Sequence, residues 1–211
     1  MKILFFAIIP ILLITFVLTT IIIFRNNDKT HITQIITFSI TLVGTFIGVL
    51  FGYFLNEQKA IKDEKVIIKS IIEQTSKDIV EIIQKYKRDT IKKGIDKYGI
   101  DFLNINLIRE PLLFENLLSN ELFAKYLNKY SSSYFLALND MKPYLLRVNN
   151  TNEDIKLRIG ALDWYLLELN HIKELLDVSI GLIDGSKNQN DFENVDKKWE
   201  EIKKEKSNWK I

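Results

Sequence analysis

Residues 32–55 read ITQIITFSITLVGTFIGVLFGYFL, a run of 24 positions without a charged side chain. A helix of that length rises about 36 Å, and the hydrocarbon core of a bilayer is about 30 Å thick. The run is therefore predicted to be a transmembrane helix. It determines the expected fold because everything after it must be carried on a membrane anchor.

Small and hydroxyl-bearing side chains of this run share one face of the predicted helix. At 100° per residue they fall within an arc of about 100°, and bulky apolar side chains cover the remainder. In lipid, helices associate through such faces because their backbones can approach closely. We interpret this glycine zipper, called the glycine face below, as a helix-packing interface whose partner is either the first apolar segment or a second copy of the chain. It comprises Thr37, Thr41, Gly44, Thr45, Gly48 and Gly52.

An earlier uncharged segment spans residues 3–24. It is longer than the core of a signal peptide, and no A-x-A-like cleavage site precedes Arg25. We therefore expect a retained transmembrane helix, bent at Pro10. The short polar stretch 25–31 then predicts that residues 1–55 form a transmembrane hairpin with helices at about 3–24 and 32–55.

Lysine and arginine near the membrane segments predict the orientation. The turn offers Arg25 and Lys29, whereas four lysines follow the second helix. Because positive residues favour the cytoplasmic side, we expect a multi-pass protein of the cell membrane with its C-terminal domain in the cytoplasm. The four lysines are Lys59, Lys62, Lys65 and Lys69.

Composition excludes several classes of function for the remaining 156 of the 211 residues. They carry 26 basic and 26 acidic side chains, whereas a nucleic-acid-binding domain normally has a basic excess. The chain has no cysteine and two histidines, which leaves little material for thiol chemistry or a histidine metal site. We expect no catalytic, cofactor or metal site. Few prolines and glycines, together with abundant helix formers, predict an all-α domain.

The fold class expected is all-α, an N-terminal transmembrane helical hairpin followed by a cytoplasmic α-helical bundle. Residues 56–93 are predicted to be a long juxtamembrane helix that ends at Gly94, residues 94–186 the helical bundle, and residues 187–211 a charged C-terminal helix and tail. One face of the juxtamembrane helix repeats apolar side chains at heptad-like spacing. These are Ile61, Ile68, Ile72, Thr75, Ile79, Ile82 and Tyr86.

Four further helices are predicted within the bundle, at residues 111–118, 120–130, 131–148 and 152–184. Pro143 should kink or split the third of them. Thr151 or Asn152 should cap the fourth, which should stop at Gly185.

The helix predicted at 152–184 has two apolar stripes on nearly opposite sides, which is typical of a helix buried between neighbours. It is either the centre of the bundle or also contacts another subunit. The second stripe comprises Trp164, Leu175, Val178 and Leu182, with His171 among them. Its residues Trp164, His171 and Leu175 are therefore candidates for a partner interface. A polar row on the same helix could form a carboxylate site, although a solvated flank is the commoner cause of such a row. It comprises Asp163, Asn170, Glu174, Asp177 and Asp184.

The segment GTFIGVLFGYFLNEQ, followed by KAIKDEKVIIKSIIEQTSKDI, joins a small-residue membrane helix to a charged helix. It resembles a type common among uncharacterised prokaryotic membrane proteins, in which a two-helix N-terminal anchor carries a C-terminal helical domain. The spacing of Pro111, Phe114, Leu117 and Leu122 is similar to a short helix pair in those proteins. The resemblance implies the anchored architecture and carries no activity or catalytic residues.

These observations favour a membrane-anchored interaction or sensory module without enzymatic activity, oligomeric through its second membrane helix. A small oligomeric pore-forming or membrane-disrupting effector, gated by the helical domain, is the alternative. A membrane-tethered hydrolase is the third candidate. The expected partners are the lipid bilayer, further copies of the chain and a cytoplasmic protein, with no nucleic acid among them.

Overall fold

The structure, a computed structural model, describes residues 14–18, 20, 21, 29–99 and 101–208. These residues are helical apart from short connections, and no strand occurs among them, which confirms the all-α class. Most of the predicted first membrane helix and most of the turn after it lie outside the described residues. Of that segment, residues 14–18, 20 and 21 are helical.

The longest helix, α1, spans Lys29–Lys85 without interruption. The chain divides into two compact units, Met1–Lys62 and Asp63–Ile211, and α1 contributes residues to both. The second unit is a helical bundle. Its further helices are α2 (Arg88–Tyr98), α3 (Asp101–Ile105), α4 (Leu112–Leu118), α5 (Glu121–Leu127), α6 (Ser131–Asn149), α7 (Ile155–Asp184) and α8 (Gln189–Asn208), with a 3₁₀ turn at Asn128–Tyr130.

The core of the second unit forms around α7, against which the C-terminal part of α1 and the shorter helices bury their apolar side chains. The heptad-like stripe predicted on α1 supplies one side of this core. From Ile68 to Tyr86, all six of its members are buried, as their spacing predicts. On α7, Leu162, Tyr165, Leu169 and Ile172 are fully or almost fully buried.

The helix predicted over 56–93 ends earlier, at Lys85. Tyr86 leaves the helix, its ring is buried, and its hydroxyl donates to the carbonyl of Leu107 at 3.0 Å. Gly94 lies inside α2 and does not end a helix. The ring of Phe102 occupies the space that a Cβ at this position would need, so the glycine allows close packing. Gly99, with φ of 70°, ends α2 in the left-handed half of backbone space that glycine tolerates.

Pro143 does not split α6, which is continuous over Ser131–Asn149. The carbonyl freed by the proline belongs to Asn139 on an exposed turn, where water can satisfy it. α7 begins three residues later than predicted because Asp154 is its N-cap, accepting from the amide of Lys156 at 2.8 Å. It ends at Gly185, as predicted, with φ of 77°.

Side chains from the surrounding helices hold the connection at residues 106–111 in place. Asn149 accepts from the amide of Ile108 at 2.9 Å and donates to its carbonyl at 2.8 Å. The hydroxyl of Tyr165 donates to the carbonyl of Arg109 at 2.7 Å. The connection lacks the backbone hydrogen bonds of a helix, and these side chains satisfy its amide and carbonyl groups instead, because buried backbone polar groups need partners.

We expect Asn149→Ala to lower the free energy of unfolding by about 1–3 kcal/mol, because both backbone groups of Ile108 lose their partner. Chemical denaturation of the detergent-solubilised chain measures this change. Asn139→Ala, on an exposed position of the same helix, is the matched control and should leave stability within about 0.5 kcal/mol of the parent. Equal effects of the two substitutions would show that the pairing with Ile108 does not stabilise the connection.

Candidate functional site

The glycine face is open in the structure. A Cβ placed on Gly44, Gly48 or Gly52 would meet no atom of the described residues within 4 Å. The hydroxyls of the face each donate to the carbonyl four residues earlier at 2.8 Å, so their protons are used within the helix. Their oxygens are left as acceptors towards any neighbour. The three hydroxyls belong to Thr37, Thr41 and Thr45.

Large apolar side chains surround the rest of this part of α1, and most of them are also exposed, whereas Val43, Phe46 and Leu50 are half-buried. Phe38 is 68% exposed and Val49 is 64% exposed. Among the described residues, α1 is the one helix long and apolar enough to cross a membrane, and none of its apolar window is buried. This capacity rests on the length and composition of the helix alone.

The second stripe of α7 is covered by helices of the same chain. His171 is 4% exposed and stacks on Trp199 of α8, with ring centroids 5.8 Å apart. Trp164 stacks on Tyr144 of α6 at 5.6 Å, and Leu175 is fully buried. The neighbours of this stripe, which the sequence marks as a candidate partner interface, are therefore α6 and α8.

A group of polar side chains joins α6, α7 and α8 around His171, and we call it the polar cluster. Nε2 of His171 lies 3.0 Å from Oδ1 of Asp196, whose Oδ2 accepts from the hydroxyl of Ser133 at 2.6 Å. Nδ1 of His171 lies 3.8 Å from Oε2 of Glu168. The same Glu168 oxygen lies 2.7 Å from Nζ of Lys203.

Burial and charge act in opposite directions on the imidazole. Burial alone would lower the pKa of His171, but its carboxylate neighbours Asp196 and Glu168 outweigh burial and raise the pKa above its ordinary value. The hydrogen bond from His171 in turn lowers the pKa of Asp196, assisted by Ser133 and opposed by burial. The cluster therefore favours a cationic histidine beside an ionised aspartate.

The order of groups in the polar cluster does not suit nucleophilic catalysis. A serine nucleophile needs a base in hydrogen-bonding contact with its hydroxyl. Here the hydroxyl of Ser133 donates to Asp196, and the carboxylate stands between the serine and His171. The arrangement links three helices and leaves the serine without an adjacent imidazole.

Three acids of the polar row of α7 pair with cations on other helices, and a fourth, Asp177, pairs with Lys173 of α7 itself. The structure does not gather the members of the row into one carboxylate group. The pairs of Asp163, Glu174 and Asp184 attach α7 to its neighbours through charge. Asp163 pairs with Arg88 at 3.5 Å, Glu174 with Lys198 at 2.9 Å, Asp177 with Lys173 at 2.5 Å and Asp184 with Lys69 at 3.0 Å, whereas Asn170 donates to the carbonyl of Leu166.

Two surface cavities of about 420 and 530 Å³ lie beside the first half of α7. The first is lined by Arg88, Trp164 and Lys206 among others. Lys206 donates to the carbonyl of Asp163 at 2.9 Å and lies 4.9 Å from the ring centroid of Trp164, and its burial lowers its pKa. Contacts within the chain thus already engage the cations Arg88 and Lys206.

The polar cluster is not recognisable as a unit from the sequence. Glu168 precedes His171 by three residues, so their shared face on α7 was accessible from helical spacing. Asp196 and Ser133 come from other helices, 25 positions after and 38 positions before His171. No local spacing rule connects them.

No family model, curated protein or solved structure matches this chain.

We expect Lys203→Met to lower the free energy of unfolding by about 2–4 kcal/mol, because Glu168 is buried and would lose the cation 2.7 Å away. Lys198→Met is the matched control on the same helix. Its side chain is 54% exposed, so we expect it to cost about 1 kcal/mol or less. Thermal or chemical denaturation compares the two. A cost for Lys203→Met no greater than the control's would contradict the assignment of Lys203 as the counterion of Glu168.

Proposed function

We propose that the protein is a membrane-anchored helical interaction or sensory module without catalytic activity, which assembles through the glycine face of α1. The observation that carries this proposal is the continuity of α1. Its N-terminal part is apolar and exposed, and its C-terminal part is buried in the core of the bundle.

The exposed apolar surface supports membrane insertion. Leaving apolar area in water costs about 25 cal/mol per Å², and side chains such as Phe38, Val49 and Phe51 are each more than 60% exposed. A bilayer removes this cost, and the helix satisfies its own backbone groups, as lipid requires. We propose that residues 3–24 form the second arm of a hairpin, and that the lysines after residue 55 keep the bundle in the cytoplasm.

The open glycine face supports association. With its hydroxyl protons bonded inside the helix, the face has no unmet donor that lipid or a neighbour would have to satisfy. A second helix could then approach to backbone contact, the arrangement that stabilises helix pairs in lipid. We propose a second copy of the chain as this neighbour, with residues 3–24 of the same chain as the competing occupant.

A shared helix offers a physical link between assembly and the bundle. Ile68, Ile72, Ile79 and Ile82 lie on the same helix as the glycine face and are buried in the bundle core. A shift or rotation of α1 within the membrane would therefore repack that core, because tightly packed interfaces have discrete arrangements. This link is the basis for proposing a sensory or interaction role.

We expect Gly48→Leu to reduce the mass of the detergent-solubilised complex, because the leucine side chain would hold the two helices apart. Size-exclusion chromatography with light scattering measures the mass. Val43→Leu, on the far side of the helix, is the matched control and should leave the mass unchanged.

Two other outcomes are informative. An unchanged mass with a lower thermal midpoint would assign the glycine face to residues 3–24 of the same chain and contradict assembly through it. No change in mass or stability, with normal insertion, would remove the glycine face from the proposed function.

A further inference from the structure

We propose that α8 is a proton-controlled clasp, held on α7 by a cationic His171 between Asp196 and Glu168 and loosened when His171 loses its proton. The clasp would cover or uncover the second stripe of α7. It is a property of the helical domain alone, so it stands or falls independently of the proposed membrane function.

Apolar and polar contacts both hold α8 on the bundle. Four of its 20 residues are large and apolar, namely Phe192, Val195, Trp199 and Ile202, and of these Phe192 and Trp199 are buried. Its remaining contacts with the bundle are made by polar and charged groups, including the bonds from Lys198 and Trp199 to Glu174. Part of the attachment of α8 therefore depends on charge, so a change of charge at its interface should weaken docking without abolishing it.

Charged and polar groups face His171 from three helices. Glu168 lies on its own helix, Asp196 and Lys203 lie on α8, and Lys203 also contacts Asp140 of α6 at 3.6 Å. From α6, Ser133 contacts Asp196. Nε2 of His171 thus lies within hydrogen-bonding distance of Asp196, and Nδ1 lies 3.8 Å from Glu168.

A neutral imidazole suits this environment poorly, because it has one N–H and one lone pair. If Nε2 keeps the proton and donates to Asp196, the lone pair of Nδ1 faces the buried carboxylate of Glu168. If Nδ1 keeps the proton, the lone pair of Nε2 faces Asp196. The cation donates to Asp196 through Nε2 and places its second N–H group, at Nδ1, 3.8 Å from Glu168 within range of charge attraction, so the docked arrangement stabilises the protonated form.

The direction of the pH dependence follows from linkage. The pKa of His171 is raised by docking. Its contribution to the stability of docked α8 is therefore complete below the ordinary value of 6.5 and is lost as pH rises through the docked pKa. The pKa of Asp196 is lowered, so its contribution is complete above 3.8 and is lost as pH falls through its docked pKa. Docking should therefore be strongest in mild acid and weaken on the alkaline side.

The test uses the full chain in detergent and follows amide hydrogen exchange in α8, corrected for the intrinsic effect of pH on exchange. Between about pH 5.5 and pH 8.5, we expect protection of residues 192–206 to fall roughly threefold to tenfold, the range that a partly buried charge pair supports. Protection of residues 160–170 in α7 should not change in parallel. His31→Gln, which leaves His171 as the remaining histidine, allows the imidazole to be titrated by NMR and should preserve the effect.

His171→Gln removes the titrating group and should give weaker protection that no longer depends on pH across this range. A flat profile in the parent chain, a His171 that titrates below 6.5, or a His171→Gln variant that keeps the pH dependence would each overturn the clasp. If His171→Gln does not fold, the parent profile and the NMR titration still decide the outcome. A change in the mass of the solubilised complex on Gly48→Leu tests assembly only. It bears neither on the pH profile of α8 protection nor on the titration of His171.

Discussion

One helix with two environments is the constraint on which the rest of the structure depends. α1 runs without a break from an exposed apolar surface to the core of a helical bundle. A helix suits this role because it satisfies its backbone groups internally and needs no partner where the surroundings change. Its side chains alone must change, and they do so after Leu55, where charged side chains appear and the buried apolar side chains lie on one stripe. The remaining helices pack against that stripe and against α7.

Charge attaches the helices of the bundle in a defined register. Acids along α7 pair with cations from α1, α2 and α8, and the polar cluster adds a second set of bonds between α6, α7 and α8. Buried charges are costly unless they are paired, so a shifted register would leave Glu168 or Asp196 without a partner. Apolar contacts supply much of the stability of the bundle, whereas these pairs favour one arrangement over its neighbours.

Periodic patterns predicted the elements that depend on local sequence. The stripe from Ile68 to Tyr86, the two-sided burial of α7 and its end at Gly185 all follow from helical spacing and glycine geometry. The end of α1 at Lys85 does not, because Tyr86 bonds to a carbonyl 21 residues further along the chain. Gly94 was wrongly predicted to end a helix, because the reason for a glycine there is its contact with Phe102, which belongs to another helix. The polar cluster was missed for the same reason, since its members meet only in the folded bundle.

Two valines of α1 allow the membrane assignment to be tested most directly. Val49 and Val66 are 64% and 58% exposed, and the chain has no cysteine to interfere. Single Val49→Cys and Val66→Cys variants in membrane fragments open on both sides would be treated with a water-soluble, membrane-impermeant maleimide. If Val49 lies in lipid, its cysteine should react at least about tenfold more slowly than the cysteine at position 66, because a thiolate does not form in hydrocarbon. Denaturant should restore the reactivity of the cysteine at position 49. Equal rates at the two positions would show that this part of α1 is in water and would contradict the account.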